Sequence, residues 1–523
     1  MKQRPWERKD SFILALVVLG VMGGWSVVTA TPYGMGLVND SAVYIGGARN
    51  LLAGRGYMRL SGDLGLKPIT HFPPLFSLIL MLTALLTRMD PLLAARILLP
   101  LLFGLNIMLL GLWVRLLSRR NDVALLAAAL WAFSDWGLNT HIYVLSEPLF
   151  FTFLLLGLIT WHLSWRSPRF PWIVLNGLAA SLAYLTRYAG AALLATLGLL
   201  WLGQALRERR WNNLGRWLLG ALPLPALWTF YTWQVGETVG NRQIAWHPIR
   251  LEVLRHGLQN SLNAFAPDWL IRLFPPLGSV FSALGLIASI LLLVAIGIGI
   301  RRAWRGLPDA AMPRWLAPAL FVLIYWLFLI VSVSLLDASI PINDRILSPV
   351  YLMLLALGMT GWGKALNFAR GAVRRIALVG LIVWMPLLVW DGITTAQTLR
   401  QEGQGFAHRV VQTTRLWSWL MNLPPQTYLY SDRPAIIHIY AERPCLPLPT
   451  PIDPVQAQPR ADYAADLTEM KARIQAGQAV LVLFDLHRSG DPDQLAEVTA
   501  GLGAPQVVDF MWVWGINPPH ESR

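Results

Sequence analysis

A single cysteine, Cys445, stands among 523 residues, which excludes an internal disulfide and says little about redox compartment. Charge is scarce too. Asp, Glu, Lys and Arg make up 14% of the chain, where ordinary soluble domains carry about a quarter. A Walker loop, a zinc-spaced set of cysteines and histidines, and a Gly-rich dinucleotide fingerprint are all missing, and with them the signatures of P-loop, zinc-finger and Rossmann chemistry. No internal repeat of solenoid or propeller period is visible. A signal-peptide cleavage site is also lacking. Met1 to Asp10 is polar and basic and Ser11 to Ala30 is apolar, but Ala30-Thr31-Pro32 offers no small-residue site, so a retained first span is expected.

What is abundant is apolar surface. Hydrophobic residues are 55% of the chain and the mean hydropathy is +0.49. They fall in repeated runs of about 17–25 residues, the length a helix needs to cross a bilayer. The net charge of +14 sits in short loops between these runs. It reads as a topology signal rather than as a nucleic-acid surface, so no nucleic-acid partner is expected. The 25 tryptophans suit interfacial belts.

Expected spans cover residues 11–30, 75–87, 91–117, 123–139, 148–165, 172–185, 188–206, 214–233, 279–300, 315–336, 346–362 and 376–390. The second is only about 20 Å long at 1.5 Å per residue, short of a ~30 Å core. Lys2, Arg4, Arg8 and Lys9 precede the first span and put the N-terminus in the cytoplasm. Arg119 and Arg120, Arg166 and Arg169, Arg207 to Arg210, Arg301 to Arg305 and Lys364 to Arg375 mark the same side. The other side then holds residues 31–70, 141–147, Thr186-Arg187, 234–278, 337–345 and everything after Trp390. Twelve spans would bring the C-terminus back inside, against the charges, so an odd number, 11 or 13, is expected, with the ambiguity in 71–120.

The fold class is therefore an all-α polytopic membrane domain over 1–392 with a small extracytoplasmic α/β domain over 393–523. In that second domain strand-like runs at 427–431, 479–485 and 507–514 suggest buried, largely parallel strands. Helices are expected at 461–476 and 492–501, and a Pro-rich stretch spans 444–459. The first outer loop, 31–70, carries Arg49, Arg55, Arg59 and Lys67 against the positive-inside tendency. Either one basic loop is tolerated, or these cations meet an anionic ligand.

The topology gathers Asp40, Tyr44, Arg49, His71, His141, Glu147, Arg187, Asp344 and Arg345 on the outer face. Each has a bland explanation. Asn39-Asp40-Ser41 is a good N-cap cluster, and Glu147 suits the start of a helix. Arg187 and Arg345 could snorkel to headgroups, and His71 and His141 could be interfacial. Together they also suit chemistry, since a carboxylate can take a proton from a hydroxyl and fixed arginines can hold phosphate oxygens.

Taken in order, the short motifs resemble a known pattern. They are Asp40 with Tyr44 four residues on, Gly54-Arg55-Gly56-Tyr57, His71-Phe72-Pro73-Pro74-Leu75-Phe76, Ser146-Glu147-Pro148-Leu149-Phe150, Leu185-Thr186-Arg187-Tyr188-Ala189-Gly190 and Asp344-Arg345-Ile346-Leu347-Ser348-Pro349. Over about residues 10–365 the chain resembles the GT-C superfamily of membrane glycosyltransferases, of the protein O-mannosyltransferase and aminoarabinose transferase (glycosyltransferase family 39-like) type. The resemblance implies inverting transfer of a sugar from a polyprenyl-phosphate carrier to an acceptor on the extracytoplasmic side of a cell (inner) membrane. By the same resemblance Asp40 is the general base. Arg187 and Arg345 bind the donor phosphate, with Arg49 and His71 as further candidates, and Tyr44, Glu147, His141 and Asp344 shape the acceptor site. The aminoarabinose transferases have a Glu-Lys pair before the double proline where this chain has Thr70-His71-Phe72. That subfamily's metal site and lipid A acceptor are therefore not carried over. A divalent metal, the donor sugar and the acceptor (protein, lipid or glycan) stay open. Two rival readings are a transporter or lipid flippase, disfavoured by acids clustered at the outer ends of spans, and an inactive relative acting as a partner subunit.

Overall fold

The computed structural model describes residues 5–62, 65–236, 314–368, 371–453, 458–484 and 492–516, with Val455 and scattered positions between 245 and 301. The expected span 279–300 and loop 234–278 lie largely outside the described residues. Seven of the described helices are long and apolar enough to cross a membrane. They lie in α1 (Pro5–Ala30), α4 (Pro91–Ser118), α7 (Glu147–Arg166), the segment of α9 (Ala191–Glu208), α12 (Leu316–Leu335), α13 (Asp344–Phe368) and α14 (Gly371–Glu402). Three shorter apolar helices accompany them, α3 (Leu75–Thr87), α5 (Asn121–Ala132) and α8 (Phe170–Thr186). The bundle is an integral membrane domain.

With hydrocarbon outside, helices associate through close backbone approach rather than through the hydrophobic effect. Helices α1 and α4 meet at glycine: a Cβ on Gly20 would lie 2.9 Å from the Gly104 carbonyl oxygen, and one on Gly104 would lie 2.8 Å from that of Gly20. Two expected spans are broken. The run 123–139 splits at Phe133-Ser134 into α5 and a short α6 (Asp135–Ile142), because the Ser134 side chain caps a new helix by accepting from the Gly137 amide at 2.9 Å. The run 214–233 splits into α10 (Trp211–Ala221) and α11 (Pro223–Gly236), where Pro223 cannot donate to the helix before it and opens the next.

Between α1 and α3 the first loop forms α2 (Asn39–Leu52) and a hairpin, β1 (Met58–Ser61) with β2 (Gly65–Pro68). Helix α14 continues through the expected boundary at 392/393 and ends at Glu402, where the chain turns at Gly403 (φ +78). Beyond it lies a five-stranded sheet, β4 (Leu446–Pro447), β3 (Tyr428–Ser431), β7 (Ala479–Leu483), β9 (Met511–Trp514) and β8 (Gln506–Val508), in that spatial order. Strands β3 and β7 run parallel, as expected, and β4, inside the Pro-rich stretch, pairs parallel with β3. The run 507–514 is a hairpin rather than one strand. Asp509 at φ +54 turns it, and β9 pairs antiparallel with both β7 and β8.

The C-terminal sheet domain sits on α2. Arg49 forks onto Asp90 at 2.8 and 2.9 Å and donates to the carbonyl of Ile439 at 3.0 Å, in α17 (Pro434–Tyr440). Two backbone bridges stitch the segment before α2 in place. Gly36 pairs with Tyr143 and Leu37 with Gly405, through bonds from Gly36 N to Ile142 O, Val144 N to Gly36 O and Phe406 N to Leu37 O of 2.7, 2.9 and 2.9 Å.

Candidate active site

Asp40 does not cap its helix. The N-cap is Val38, whose amide donates to the Ser41 hydroxyl at 3.0 Å, while the Ser41 amide donates back to the Val38 carbonyl at 2.9 Å. Ser41 thus does the capping that the Asn39-Asp40-Ser41 cluster promised. The Asp40 carboxylate is left for another partner, Arg345, whose Nη2 donates to Oδ2 at 2.6 Å. Arg345 stands in the first turn of α13, and its Nε donates to Glu147 Oε1 at 2.5 Å. Glu147 begins α7 and is 2% exposed. The same oxygen ion-pairs with Arg187, which terminates α8 in an extended conformation before the tight turn of Tyr188–Gly190. Four residues from four helices make one chain of alternating charge: Asp40, Arg345, Glu147, Arg187.

Coulomb attraction and desolvation oppose one another here. Buried charges are tolerated when paired and hydrogen-bonded, and two carboxylates against two guanidiniums cancel. Glu147 holds both arginines through one oxygen, and Oε2 stays buried without a partner. Arg187 has no partner besides Glu147 among the described residues. Its other N–H groups are unclaimed in the cavity it lines.

That cavity has a volume of about 520 Å³. Its polar end carries Asp40, His71, Arg187 and Arg345, and its other wall is apolar, with Phe328, Leu329, Leu336 and Ile340. Tyr44 closes the floor: 2% exposed, it shares a 2.9 Å hydrogen bond with Ser146 and packs its ring on Phe72 and Phe76. A second cavity of about 520 Å³ lies behind Arg345 and is lined by Asp135, Tyr143, Glu147, Asp344, Asp391 and Gln404 among others.

Of the residues singled out in sequence, Asp40, Tyr44, His71, Glu147, Arg187 and Arg345 converge. Three do not join them. Arg49 spends its fork on Asp90 and Ile439 and fastens the C-terminal sheet domain, so its place is structural rather than at the cavity. His141 is fully buried between Asn106 (3.2 Å) and the Gly137 carbonyl (2.8 Å), stacked on Phe103, away from both cavities. Asp344 faces the second cavity and accepts from Tyr351 at 2.9 Å. Sequence reading missed Ser146, the partner of Tyr44, and Tyr325, whose hydroxyl in mid-span donates to the Ile346 carbonyl at 2.7 Å. A polar hydroxyl inside an otherwise apolar run was the available signal for Tyr325. Among the described residues no three His, Cys, Asp or Glu side chains converge as a metal site, and Arg345 fills the space between Asp40 and Glu147. The residues present do not fit a bound cation there.

No family model and no curated protein matches the sequence. Solved structures do match. ArnT from Cupriavidus metallidurans in the apo state superposes with a TM-score of 0.55 at 15% identity, over 97% of this chain and 98% of that one. The same protein bound to undecaprenyl phosphate gives 0.53 at 14% identity, over 98% of each chain. The archaeal oligosaccharyltransferase AglB from Archaeoglobus fulgidus, in complex with an inhibitory peptide and a dolichol-phosphate, gives 0.54 at 13% identity, over 91% of this chain and 70% of that one. The chain has the GT-C fold. The shared fold runs from α1 to the C-terminal sheet domain, and the charged relay occupies one end of the helical bundle.

Proposed function

We infer that the chain is a membrane glycosyltransferase that moves a sugar from a polyprenyl-phosphate carrier to an acceptor hydroxyl, with inversion, on the extracytoplasmic side of a cell membrane. The observation that carries this reading is the relay of Asp40, Arg345, Glu147 and Arg187 at the polar end of a cavity with one apolar wall. A lipid phosphate needs both halves, since its chain stays in apolar surroundings while its headgroup meets fixed cations. The two solved neighbours bound to undecaprenyl phosphate and to dolichol-phosphate add to the case.

In this mechanism the acceptor oxygen attacks the anomeric carbon from the face opposite the phosphate, and its proton passes to Asp40. The bond from that carbon to the phosphate oxygen breaks, and the lipid phosphate leaves with the electron pair and a second negative charge. Arg187 and Arg345 meet that charge, which grows only as the bond breaks. Arg345 also holds Asp40 by Oδ2, leaving Oδ1 to take the proton. Glu147 acts through the arginines as a positioning residue. No step is routed through a metal.

The test uses purified protein with undecaprenyl-phosphate sugars and a panel of hydroxyl acceptors, reading release of undecaprenyl phosphate. Asp40→Asn keeps the side chain's size but cannot accept a proton. Turnover should fall by about 10²–10⁴-fold, with lipid-phosphate binding and melting little changed. Near-normal turnover in Asp40→Asn would remove Asp40 as the base.

A further inference from the structure

In the hairpin of the first loop Arg59 lies directly opposite Lys67. Like charges at opposed positions weaken an antiparallel pair, yet both side chains line one cavity of about 580 Å³. Its walls are the hairpin, the start of α2 and the C-terminal sheet domain. Asp40, His71 and Phe72 line both it and the relay cavity, so the two spaces meet at Asp40.

Arg59 is the informative residue. Its Nε is shut off from solvent with no hydrogen-bond partner. Burial pulls its guanidinium below the usual range, and among the described residues no carboxylate opposes the shift. A cation withdrawn from water without a counter-charge costs free energy unless something outside the chain completes it. The cavity's other groups leave that role open. His438 is held neutral at about pKa 4, first by burial, with the Arg59 charge adding to it, and its Nε2 accepts from the Cys445 amide at 3.2 Å. Asp432 accepts from the Phe484 amide at 3.0 Å and sits 4.0 Å from Arg433, and Asp40 is paired with Arg345.

We propose that this cavity admits the acceptor and that the acceptor carries a phosphate group, held by Arg59 with Lys67 beside it, while its hydroxyl reaches Asp40. The proposal rests on the glycosyl-transfer reading and names the acceptor's chemistry. A guanidinium fork suits phosphate oxygens, and the walls are those of a water-facing cleft rather than of spans. The phosphate could belong to a free ester or to a headgroup reaching up from the membrane.

The experiment titrates glycerol 3-phosphate into the full-length protein at constant ionic strength, with the relay cavity saturated by undecaprenyl phosphate, and reads the melting temperature. A saturable rise is expected, its midpoint moving at least about tenfold in Arg59→Gln/Lys67→Gln. Without ligand Arg59→Gln alone should melt at or above the wild type, because it removes a cation whose buried Nε has no partner. Arg59→Met serves if the double variant does not fold. No rise in the wild type, or the same midpoint in the variants, overturns the proposal. Repeating the titration in nanodiscs separates the two sources. A rise that persists in phosphatidylglycerol discs assigns a free ester. A rise seen in phosphatidylcholine discs but suppressed in phosphatidylglycerol discs assigns a headgroup. Failure of undecaprenyl phosphate to bind is read separately and counts against the transferase reading alone.

Discussion

Glu147→Gln tests the relay at its centre. The side chain of Glu147 is 3% exposed, and one of its oxygens serves Arg187 and Arg345, which are 14% and 33% exposed. The substitution preserves shape and one acceptor but removes the charge, and it turns an amide toward two guanidiniums. Breaking a buried pair by deleting one partner costs about 3–5 kcal/mol. Arg345 keeps Asp40 and some water, so most of the loss falls on Arg187, and a decrease of about 3 kcal/mol is expected. Denaturant melts in detergent, monitored by tryptophan fluorescence, measure it. Glu147→Gln/Arg187→Gln removes both charges and should recover at least about 1.5 kcal/mol of the summed single losses, while transfer remains abolished. Additive losses in the double variant, or wild-type stability in Glu147→Gln, would show that the relay is not electrostatically coupled as described.

Three further outcomes follow from other contacts. Arg187→Lys should recover only part of the activity lost in Arg187→Ala, because an ammonium cannot reproduce the forked contact; equal activity of Arg187→Lys and wild type would mean that the residue only anchors to headgroups. Gly405 sits at φ +57 with a would-be Cβ 2.2 Å from the Leu37 carbonyl oxygen, so Gly405→Ala should cost about 1–3 kcal/mol in backbone strain alone and slow transfer by moving the start of α2; an unchanged melt would refute this. His438 is neutral in the fold, with its pKa lowered from 6.5 to about 4. Its contribution is present above about pH 6.5 and lost as pH falls toward 4, roughly 3 kcal/mol in all. The wild type should therefore lose more stability over that window than His438→Gln, and parallel pH profiles would exclude it.

The parts of the fold that repeat or concentrate apolar residues were legible. Helices α3, α4 and α7 begin and end within a residue or so of the apolar runs that announce them. Strands β3 and β7 pair in parallel, as uninterrupted apolar runs suggest. What hydropathy does not carry is local geometry inside an apolar run. The cap at Ser134, the break at Pro223 and the positive φ of Asp509 each divided what composition alone joined. At the site, motif order brought Asp40, Glu147, Arg187 and Arg345 into view. Their pairing was not legible, because an ion pair across 305 positions leaves no periodic trace. Arg49 shows the converse, a conspicuous cation in the right loop whose carboxylate partner, Asp90, precedes another helix.

The two bridges at Gly36 and Leu37 fix where Asp40 stands relative to Glu147 through amides and carbonyls, which every residue type but proline brings. Side chains around the three cavities can therefore be exchanged without shifting the acid against the arginines. Such an arrangement separates two properties that usually change together, the choice of what is bound and the alignment of what reacts. Redesign of the cavity walls for a different sugar or acceptor should leave the alignment standing, whereas a proline at Val144, which deletes one shared amide, should disturb it while touching no wall at all.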